Sequence, residues 1–283
     1  MTTHHRLRVE DVHLGYDERE IVGGLSLEVP PSRITMIVGA NACGKSTLLR
    51  GIARLLRPTA GAVYLDDRSI HQQSTRSVAT VVGILPQAPS APDGITVGDL
   101  VARGRYPHQG WFGRRTAEDE AAVAEAMLAT GTVDLADRPV DELSGGQRQR
   151  AWIAMALAQR TDILLLDEPT TYLDVSHQVE VLDLLTDLNR RLGTTIVIVL
   201  HDLNLACRYA DHLVAMKEGK VAAEGRPSEV VTEATVTEVF GMPSRIVADP
   251  VSGTPMVVPI GRHHGGAAAP SSGPVPVGAP EQR

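Results

Sequence analysis

The segment GANACGKST at positions 39–47 constrains this chain more than any other part of it. It follows the apolar run ITMIV, which is typical of a buried strand. It leads into TLLRGIARLL, whose spacing of apolar residues is typical of an amphipathic helix. Gly39, Gly44, Lys45 and Ser46 fit the phosphate-binding pattern G-x-x-x-x-G-K-[ST]. The sequence therefore predicts a phosphate site between a strand and a helix.

The chemistry of such a loop follows from its backbone. Consecutive N–H groups point into one concavity at the helix N-terminus, where phosphate oxygens are favoured. Lys45 is predicted to reach the β- and γ-phosphates of a nucleotide, and the Ser46 hydroxyl to ligate Mg²⁺. A tight strand-to-helix turn with an ordinary surface lysine is the alternative, and the flanking patterns favour the phosphate site. The predicted nucleotide-binding residues here are Gly39, Ala40, Asn41, Ala42, Cys43, Gly44, Lys45, Ser46 and Thr47.

Composition argues against several other classes of protein. The chain has 283 residues, enough for one large domain or two modest ones, with ordinary hydrophobic (43%) and charged (22%) fractions. No apolar stretch approaches the ~20 residues of a membrane span, and the N-terminus lacks the apolar core of a secretory signal. Two cysteines argue against a disulfide framework and for a reducing cytoplasm. The net charge of −7 argues against a dedicated nucleic-acid binder.

The order of the predicted elements indicates an α/β fold. Residues 7–27 alternate about a turn and predict an antiparallel strand hairpin. Later apolar strands alternate with helices and predict a mixed or largely parallel sheet with helices on its faces. Residues 95–159 carry helical patterns alone and predict an inserted helical subdomain. We place the nucleotide-binding domain at 7–245, a short β-like extension at 246–261, and a low-complexity, disordered tail at 262–283.

Two helix ends and two strands carry specific signals. Thr116, followed by acidic residues, predicts the N-terminal cap of a helix over TAEDEAAVAEAMLATG. Gly193 predicts the end of a helix over SHQVEVLDLLTDLNRRL. The continuous apolar runs in DILLLDEP and TTIVIVLHD predict buried strands.

A second motif lies in LLLDEP, where two acids follow an apolar strand. Asp167 falls at the carboxyl end of that strand, where a P-loop site holds its Mg²⁺. Glu168 beside it is suited to polarise an attacking water molecule. Without the phosphate loop upstream, an acidic strand end that begins a loop would be the simpler interpretation. With the loop, the two acids predict a site that hydrolyses a nucleotide.

A third motif, LSGGQRQR, identifies the family that the chain resembles. Residues 143–147 match the signature motif of ATP-binding cassette (ABC) ATPases, which other P-loop families lack. A hydroxyl and two glycines that open a helix form a second anion site from backbone donors and the helix dipole. The resemblance spans residues 7–245 and implies the P-loop NTPase fold with an ABC ATPase core. The residues implied at the second phosphate site are Ser144, Gly145, Gly146 and Gln147.

The resemblance assigns roles to four further residues. Tyr16 matches the aromatic residue that stacks on adenine, and Gln87 matches the glutamine that contacts Mg²⁺ and senses the membrane partner. Asp174 matches the loop that crosses to the other subunit, and His201 matches the histidine that contacts the γ-phosphate. Ala40 is a departure, because relatives often carry proline there; its loss loosens the loop but removes no phosphate donor. The implied catalytic residues are Lys45, Gln87, Glu168 and His201, and the implied Mg²⁺ ligands are Ser46, Gln87 and Asp167.

The resemblance also implies an assembly. Two ABC domains pair head to tail, and each ATP lies between one P-loop and the other subunit's signature segment. ATP binds the closed pair preferentially, so binding drives a transporter's conformational change and hydrolysis resets it. The implied cofactors are ATP and Mg²⁺. The implied partners are a second copy of the chain, membrane permease subunits and, indirectly, a substrate-binding protein, with no nucleic acid. The implied location is peripheral, at the cytoplasmic face of the plasma membrane.

Finer resemblance favours one branch of the family. YPHQGWFG, VDELSGGQRQRAWIAMALAQ, DEPTTYLDVSHQVEVLDLL and LHDLNLACRYADHLVAMKEGKV are similar to segments of iron-siderophore importers, which are related to cobalamin and haem importers. The ATPase of a cobalamin or haem importer is one alternative. A soluble ABC ATPase of the cluster-assembly type and an exporter ATPase are others. The cargo passes through the permease, so this sequence does not specify which siderophore is carried.

Overall fold

The structure, a computed structural model, describes residues 5–109, 115–171 and 173–263. A four-stranded antiparallel sheet consists of β1 (Leu7–Tyr16), β2 (Arg19–Val29), β4 (Ala60–Leu65) and β5 (Arg68–Ser69). Its strand order is β2-β1-β4-β5. The predicted hairpin is therefore confirmed as β1 and β2. Alternate residues of β1 are buried, as expected for a sheet with one covered face.

A six-stranded sheet carries the functional residues. Its strands are β3 (Ile34–Gly39), β6 (Val82–Leu85), β7 (Ile163–Asp167), β8 (Thr195–Val199), β9 (His212–Lys217) and β10 (Lys220–Gly225). They lie in the order β10-β9-β3-β8-β7-β6, all parallel except β10. The predicted apolar strands are β7 and β8, and every residue in them is buried. The predicted mixed, largely parallel sheet is confirmed.

Helices connect most of these strands. The helices of the described residues are α1 (Lys45–Ile52), α2 (Thr75–Val81), α3 (Val97–Arg103), α4 (Ala117–Ala129), α5 (Gly145–Ala158), α6 (Val175–Leu192), α7 (Leu203–Tyr209), α8 (Pro227–Val230) and α9 (Glu233–Phe240). The predicted cap of α4 is confirmed, because Thr116 and Asp119 form a reciprocal capping box. The predicted end of α6 is also confirmed, because Gly193 adopts a φ of 69° as its C-cap.

The two faces of the six-stranded sheet pack into different cores. On β3, Met36 and Val38 belong to a core that is otherwise built largely from α3 and α5 to α9, whereas Ile37 belongs to the other core. That second core is formed by α1 and the apolar residues of β1, β2 and β4. The predicted helices on the faces of the sheet are present, because α1 packs in the second core and the helices named above pack in the first. The antiparallel sheet shares the second core with α1, which a local apolar pattern does not indicate.

Within the described residues, positions 95–159 contain α3, α4 and α5 and no strand longer than an isolated bridge. Arg105 and Asp119 lie buried among these helices, each only 3% exposed. Arg105 Nε donates to Asp119 Oδ1 at 2.8 Å, and its Nη1 donates to the Ala158 carbonyl at 3.0 Å. The Thr116 backbone N–H and then Arg105 lower the pKa of Asp119 to about 2. This pair ties the three helices together.

We expect Arg105→Met to lower the free energy of unfolding by roughly 3–5 kcal/mol, because it leaves the Asp119 carboxylate buried without its cation. Arg115→Met is the matched control, since its side chain is half exposed and pairs with an exposed Asp99, and we expect it to cost under about 1 kcal/mol. Chemical denaturation at neutral pH measures both. Because the folded pKa of Asp119 is depressed, its contribution is complete above about pH 4 and is lost as the pH falls toward 2. Equal losses in both variants would contradict this role.

The C-terminal part of the described chain forms a hairpin of β11 (Ser244–Ala248) and β12 (Pro255–Pro259). Asn204 on α7 fastens it, because its Oδ1 accepts from the Val257 N–H at 2.7 Å and its Nδ2 donates to the Val257 carbonyl at 3.3 Å. Strand pairing thus occurs where a β-like extension was predicted, while the domain boundaries stay a prediction. Most of the predicted disordered tail, 264–283, lies outside the described residues.

Candidate active site

A cleft of about 510 Å³ lies where the carboxyl ends of β3, β7 and β8 meet. The predicted site residues that line it are Tyr16, Asn41, Ala42, Cys43, Gly44, Lys45, Ser46, Thr47, Gln87, Glu168 and His201. Arg19 and Ile21 also line it and carry no motif of their own. The fold thus gathers in one place residues that are far apart in sequence.

Two glycines shape the loop that enters α1. Gly39 has a φ of 155°, and a Cβ there would lie 2.3 Å from the Met216 carbonyl oxygen, so no side chain fits. Gly44 has a φ of 104° and forms the N-cap of α1. Between them, Ala42 adopts a φ of 61° although it is not glycine. Cys43 is 7% exposed and packs in the second core as a small apolar group.

Lys45 spans its own loop. Its side chain is 5% exposed, and Nζ donates to the carbonyl oxygens of Gly39 at 2.9 Å and Ala40 at 3.0 Å. The ammonium is therefore held at the edge of the cleft by backbone acceptors. A phosphate oxygen that replaced one of them would gain a charge-assisted hydrogen bond.

Ser46 and Asp167 bring a hydroxyl and a carboxylate together beside the loop. Ser46 Oγ donates to Asp167 Oδ1 at 2.8 Å. Burial raises the pKa of Asp167, and the Ser46 hydrogen bond opposes that rise. These are the oxygen ligands that Mg²⁺ prefers, and in the described ranges no group of three or more His, Cys, Asp or Glu side chains could hold a metal. The donor set fits a cation that takes its other ligands from phosphate and water.

Glu168 follows β7 in an unusual backbone conformation, with a φ of 53°, and is 7% exposed. Both carboxylate oxygens are engaged. Oε1 lies 2.5 Å from His201 Nε2, and Oε2 accepts from Gln87 Nε2 at 2.6 Å and Thr171 Oγ1 at 3.1 Å. Gln87 therefore contacts Glu168 here. Thr171 was not predicted, because a hydroxyl after a proline-containing loop carries no signal of its own.

Tyr16 lies at the rim of the cleft and is partly exposed. Its hydroxyl accepts a hydrogen bond from Arg50 Nη1 at 2.9 Å. Arg50 is on α1, so the aromatic ring is tied to the same helix that the phosphate loop begins. Arg50 also went unpredicted, because one arginine in an amphipathic helix is ordinary.

The signature residues lie elsewhere in the same chain. Ser144 caps α5 in a box with Gln147, whose backbone N–H donates to Ser144 Oγ at 3.3 Å. Asp174 caps α6. None of Ser144, Gly145, Gly146, Gln147 and Asp174, all within the described ranges, lines the cleft. One chain therefore presents two separate groups of predicted site residues.

The fold and the cleft first define a class of protein. A largely parallel sheet, a glycine-bounded loop that enters a helix, and a hydroxyl–carboxylate pair at the strand ends are the features of P-loop nucleoside triphosphatases.

Comparison with known proteins then gives the family. The family model described as ABC transporter matches residues 22–171. The achromobactin transport ATP-binding protein CbrD of Dickeya dadantii (strain 3937) is 55% identical over 89% of this chain and 94% of that protein. The ferric enterobactin transport ATP-binding protein FepC of Escherichia coli (strain K12) is 54% identical over 91% and 95%. The dimeric structure of MJ0796, a bacterial ABC transporter cassette, matches with a TM-score of 0.70 at 27% identity, covering 78% of this chain and 98% of that one.

The chain belongs to the ABC transporter family, as an ATP-binding subunit with ATPase activity. ATP-binding proteins of import systems work with membrane permeases, and cassettes of this family dimerise. Across the described part of the chain, the structure contains no helix long and apolar enough to cross a membrane.

Proposed function

We propose that this chain is the ATPase subunit of an importer for iron–siderophore complexes. The observation that carries the proposal is the sequence identity of 55% and 54% to two ATP-binding proteins of siderophore transport, over nearly the whole length of each. The fold and the cleft supply the machinery for ATP hydrolysis, and the cargo assignment rests on the relatives. The ATPase of a haem or cobalamin importer is the second candidate.

In the proposed site, ATP enters the cleft with its base beside Tyr16 and its phosphates on the loop that begins α1. Lys45 then turns from the Gly39 and Ala40 carbonyls to the β- and γ-phosphates. Mg²⁺ would be held by Ser46 and Asp167, with Gln87 close by, and would neutralise charge on the phosphate oxygens. The engaged position of Ser46 against Asp167 supports this assignment.

Glu168 is the proposed general base. Neighbouring side chains take three of its roughly four acceptor positions, so one position on Oε1 is open to water. In the proposed cycle a γ-phosphate offers His201 Nε2 a new contact, which leaves the whole of Glu168 Oε1 to the attacking water. Gln87 and Thr171 keep the other oxygen fixed, so the freed carboxylate stays oriented.

The proposed active form is a head-to-tail dimer. The signature residues and Asp174 do not reach the cleft of their own chain, which is the arrangement expected if they serve a second copy. In this dimer the N-terminus of α5 supplies backbone donors to the nucleotide held by the partner. The dimeric cassette among the comparisons supports such pairing.

Gly146 offers a test that separates the fold from this second site. A Cβ there would lie 3.8 Å from its nearest neighbours within the chain, so alanine fits the monomer. We expect Gly146→Ala to leave stability unchanged or raise it by up to ~1 kcal/mol, since alanine favours helix. We also expect it to lower ATP turnover of the permease-bound complex by about 10²-fold, because a methyl group displaces the approaching phosphate.

The control for this variant is Gly98→Ala. Gly98 is likewise the second residue of a capped helix, α3, but no predicted phosphate site lies beside it. Its Cβ would lie 3.3 Å from the Ala136 carbonyl oxygen, so a small loss of stability is expected while turnover is retained. Full turnover in both alanine variants would remove the signature segment from the proposed mechanism.

A groove of about 490 Å³ is the proposed contact for the permease. Its lining comes from the end of α1, from α2 and β6, from the end of α3 and the residues after it, and from the last turns of α5. Strand β6 leads directly to Gln87. Leu55 and Tyr106 are large side chains that remain exposed at its rim, which is typical of a surface that a partner covers. Docking there would place the chain peripherally at the cytoplasmic face of the plasma membrane, with a substrate-binding protein on the other side.

Transport in a deletion strain tests the cargo. We expect a strain that lacks this subunit to regain uptake of a ferric siderophore with the native chain, and not with Glu168→Gln. The assay compares ferric hydroxamate, ferric catecholate, haem and cobalamin as separate labelled substrates. Uptake of haem or cobalamin alone would favour the second candidate.

A further inference from the structure

The tip of the β1–β2 hairpin, which carries Tyr16, extends beyond the pairing of β1 with β4. Strand β1 pairs with β4 as far as His13, whereas the residues after it pair with β2. The register of that pairing shifts at Leu14 and Gly15, and Asp17 in the following turn has a φ of 52°. A ribbon of two strands is marginally stable by itself. The backbone therefore holds the Tyr16 ring, which is 42% exposed, only weakly.

Arg50 joins this tip to the core of the protein. Its Nη1 donates to the Tyr16 hydroxyl at 2.9 Å. Arg50 lies on α1 four positions after Ser46, so the two side chains lie on one face of the helix. The same helix buries Leu48 and Leu49 completely in the second core, which fixes the helix in place. The hydrogen bond thus connects an exposed aromatic ring to the helix that the phosphate loop enters.

We propose that Arg50 is a positioning residue for the nucleotide base, which holds Tyr16 at a set distance from the phosphate loop. The proposal rests on the ATP site proposed above, in which the base lies beside Tyr16 and the phosphates lie on the loop. One ATP molecule must reach both, so their spacing matters for binding. With the hydrogen bond in place the ring is already ordered, and ATP binding does not have to order it. Without the bond, the base should contribute less to affinity, while the phosphates keep their contacts.

Binding of ATP and of tripolyphosphate, which lacks a base, separates these contributions. Isothermal titration of the full-length chain with Mg²⁺ measures both dissociation constants, and the ratio of the tripolyphosphate constant to the ATP constant measures the contribution of the base. Stacking of a base on an aromatic side chain typically contributes ~5–150-fold in affinity. We expect Tyr16→Phe, which keeps the ring and removes the hydroxyl, to lower the ratio about three- to tenfold. Its tripolyphosphate constant should stay within about twofold of the parent, because no phosphate contact changes.

Arg50→Met removes the donor of the same hydrogen bond and should lower the ratio by the same factor. It also removes a positive charge, which weakens the binding of both ligands and largely cancels in the ratio. A chain with both Tyr16→Phe and Arg50→Met should show a ratio no lower than either single variant, because each change removes the same bond. Arg50→Lys keeps a charged donor and should recover part of the ratio.

Arg8→Met is the matched control. The Arg8 guanidinium lies 5.2 Å from the centroid of the Tyr64 ring on the same antiparallel sheet, and neither of these two described residues lines the cleft. This variant therefore also removes a positive charge and an arginine–tyrosine contact. We expect it to leave the ratio unchanged.

Two failures are distinguishable, and neither depends on the imported cargo. If Tyr16→Ala abolishes the preference for ATP while Tyr16→Phe and Arg50→Met keep the native ratio, the role of Arg50 is overturned and the proposed site stands. A lower thermal midpoint at an unchanged ratio would overturn it in the same way. If the native chain itself binds ATP no more tightly than tripolyphosphate, the proposed base site fails and the role of Arg50 fails with it.

Discussion

Replacing Glu168 by glutamine is expected to lower ATP turnover by ~10²–10⁴-fold, the usual effect of losing a general base. The amide keeps the size of the side chain and can still accept from Gln87 Nε2 and Thr171 Oγ1, which bind the carboxylate at 2.6 and 3.1 Å. It cannot take a proton from water. ATP binding should survive, because the phosphate loop is untouched. The measurement is steady-state phosphate release from the permease-bound complex, alongside equilibrium nucleotide binding.

Glu218→Gln is the control for this prediction. Glu218 also has a positive φ, 49°, but it is exposed in the turn between β9 and β10. Its replacement should leave turnover at the parental rate. His201 is the alternative base, since histidine is a common general base and its Nε2 lies beside Glu168 Oε1. If Glu168→Gln hydrolysed ATP at the parental rate while His201→Ala did not, the base would be reassigned to His201.

Lys45→Ala is expected to abolish most ATP binding, with affinity falling by at least about 10²-fold, since hydrogen bonds between charged groups are lost at the β- and γ-phosphates. The buried position of the ammonium strengthens this effect, because solvent screens it little. In the absence of nucleotide, the variant also frees the Gly39 and Ala40 carbonyls, which Nζ binds at 2.9 and 3.0 Å. The thermal midpoint must therefore be measured together with the nucleotide dissociation constant.

Lys220→Ala is the matched control for this second variant, because Lys220 is an exposed lysine on β10 that does not line the cleft. It removes the same charge from the protein. We expect unchanged nucleotide affinity and an unchanged thermal midpoint. Parental ATP affinity in folded Lys45→Ala would contradict the assignment of the phosphate loop.

Much of the site could be predicted because its residues lie in compact motifs. The P-loop residues are consecutive, and the glycine φ angles of 155° and 104° explain the spacing of Gly39 and Gly44. The pair Asp167 and Glu168 was predictable from the end of an apolar strand. In each case a short stretch of sequence contains both the structural signal and the chemical group.

Other features depend on contacts that no short stretch contains. Arg50 reaches Tyr16 across 34 positions, and Gln87 reaches Glu168 across 81. Helical patterns likewise predicted α4 and α6, yet they did not reveal that the antiparallel sheet packs beside α1 on one face of the six-stranded sheet. Apolar periodicity indicates that one face of an element is buried, but it does not indicate which other element packs against that face.

The backbone of Glu168 has a consequence for anyone who improves this protein by selection. A side chain at a φ of 53° costs about 1 kcal/mol relative to glycine, which adopts that conformation freely. Glu168→Gly relieves that strain, but it also removes the acceptor of hydrogen bonds from Gln87 and Thr171 and the contact with His201, at about 1.5–3 kcal/mol for each bond to a charged group. A screen for heat resistance alone would therefore retain Glu168 whether or not a clone imports anything, so its presence in the selected clones says nothing about activity. Selection schemes for this subunit should score growth on the imported nutrient in the same round.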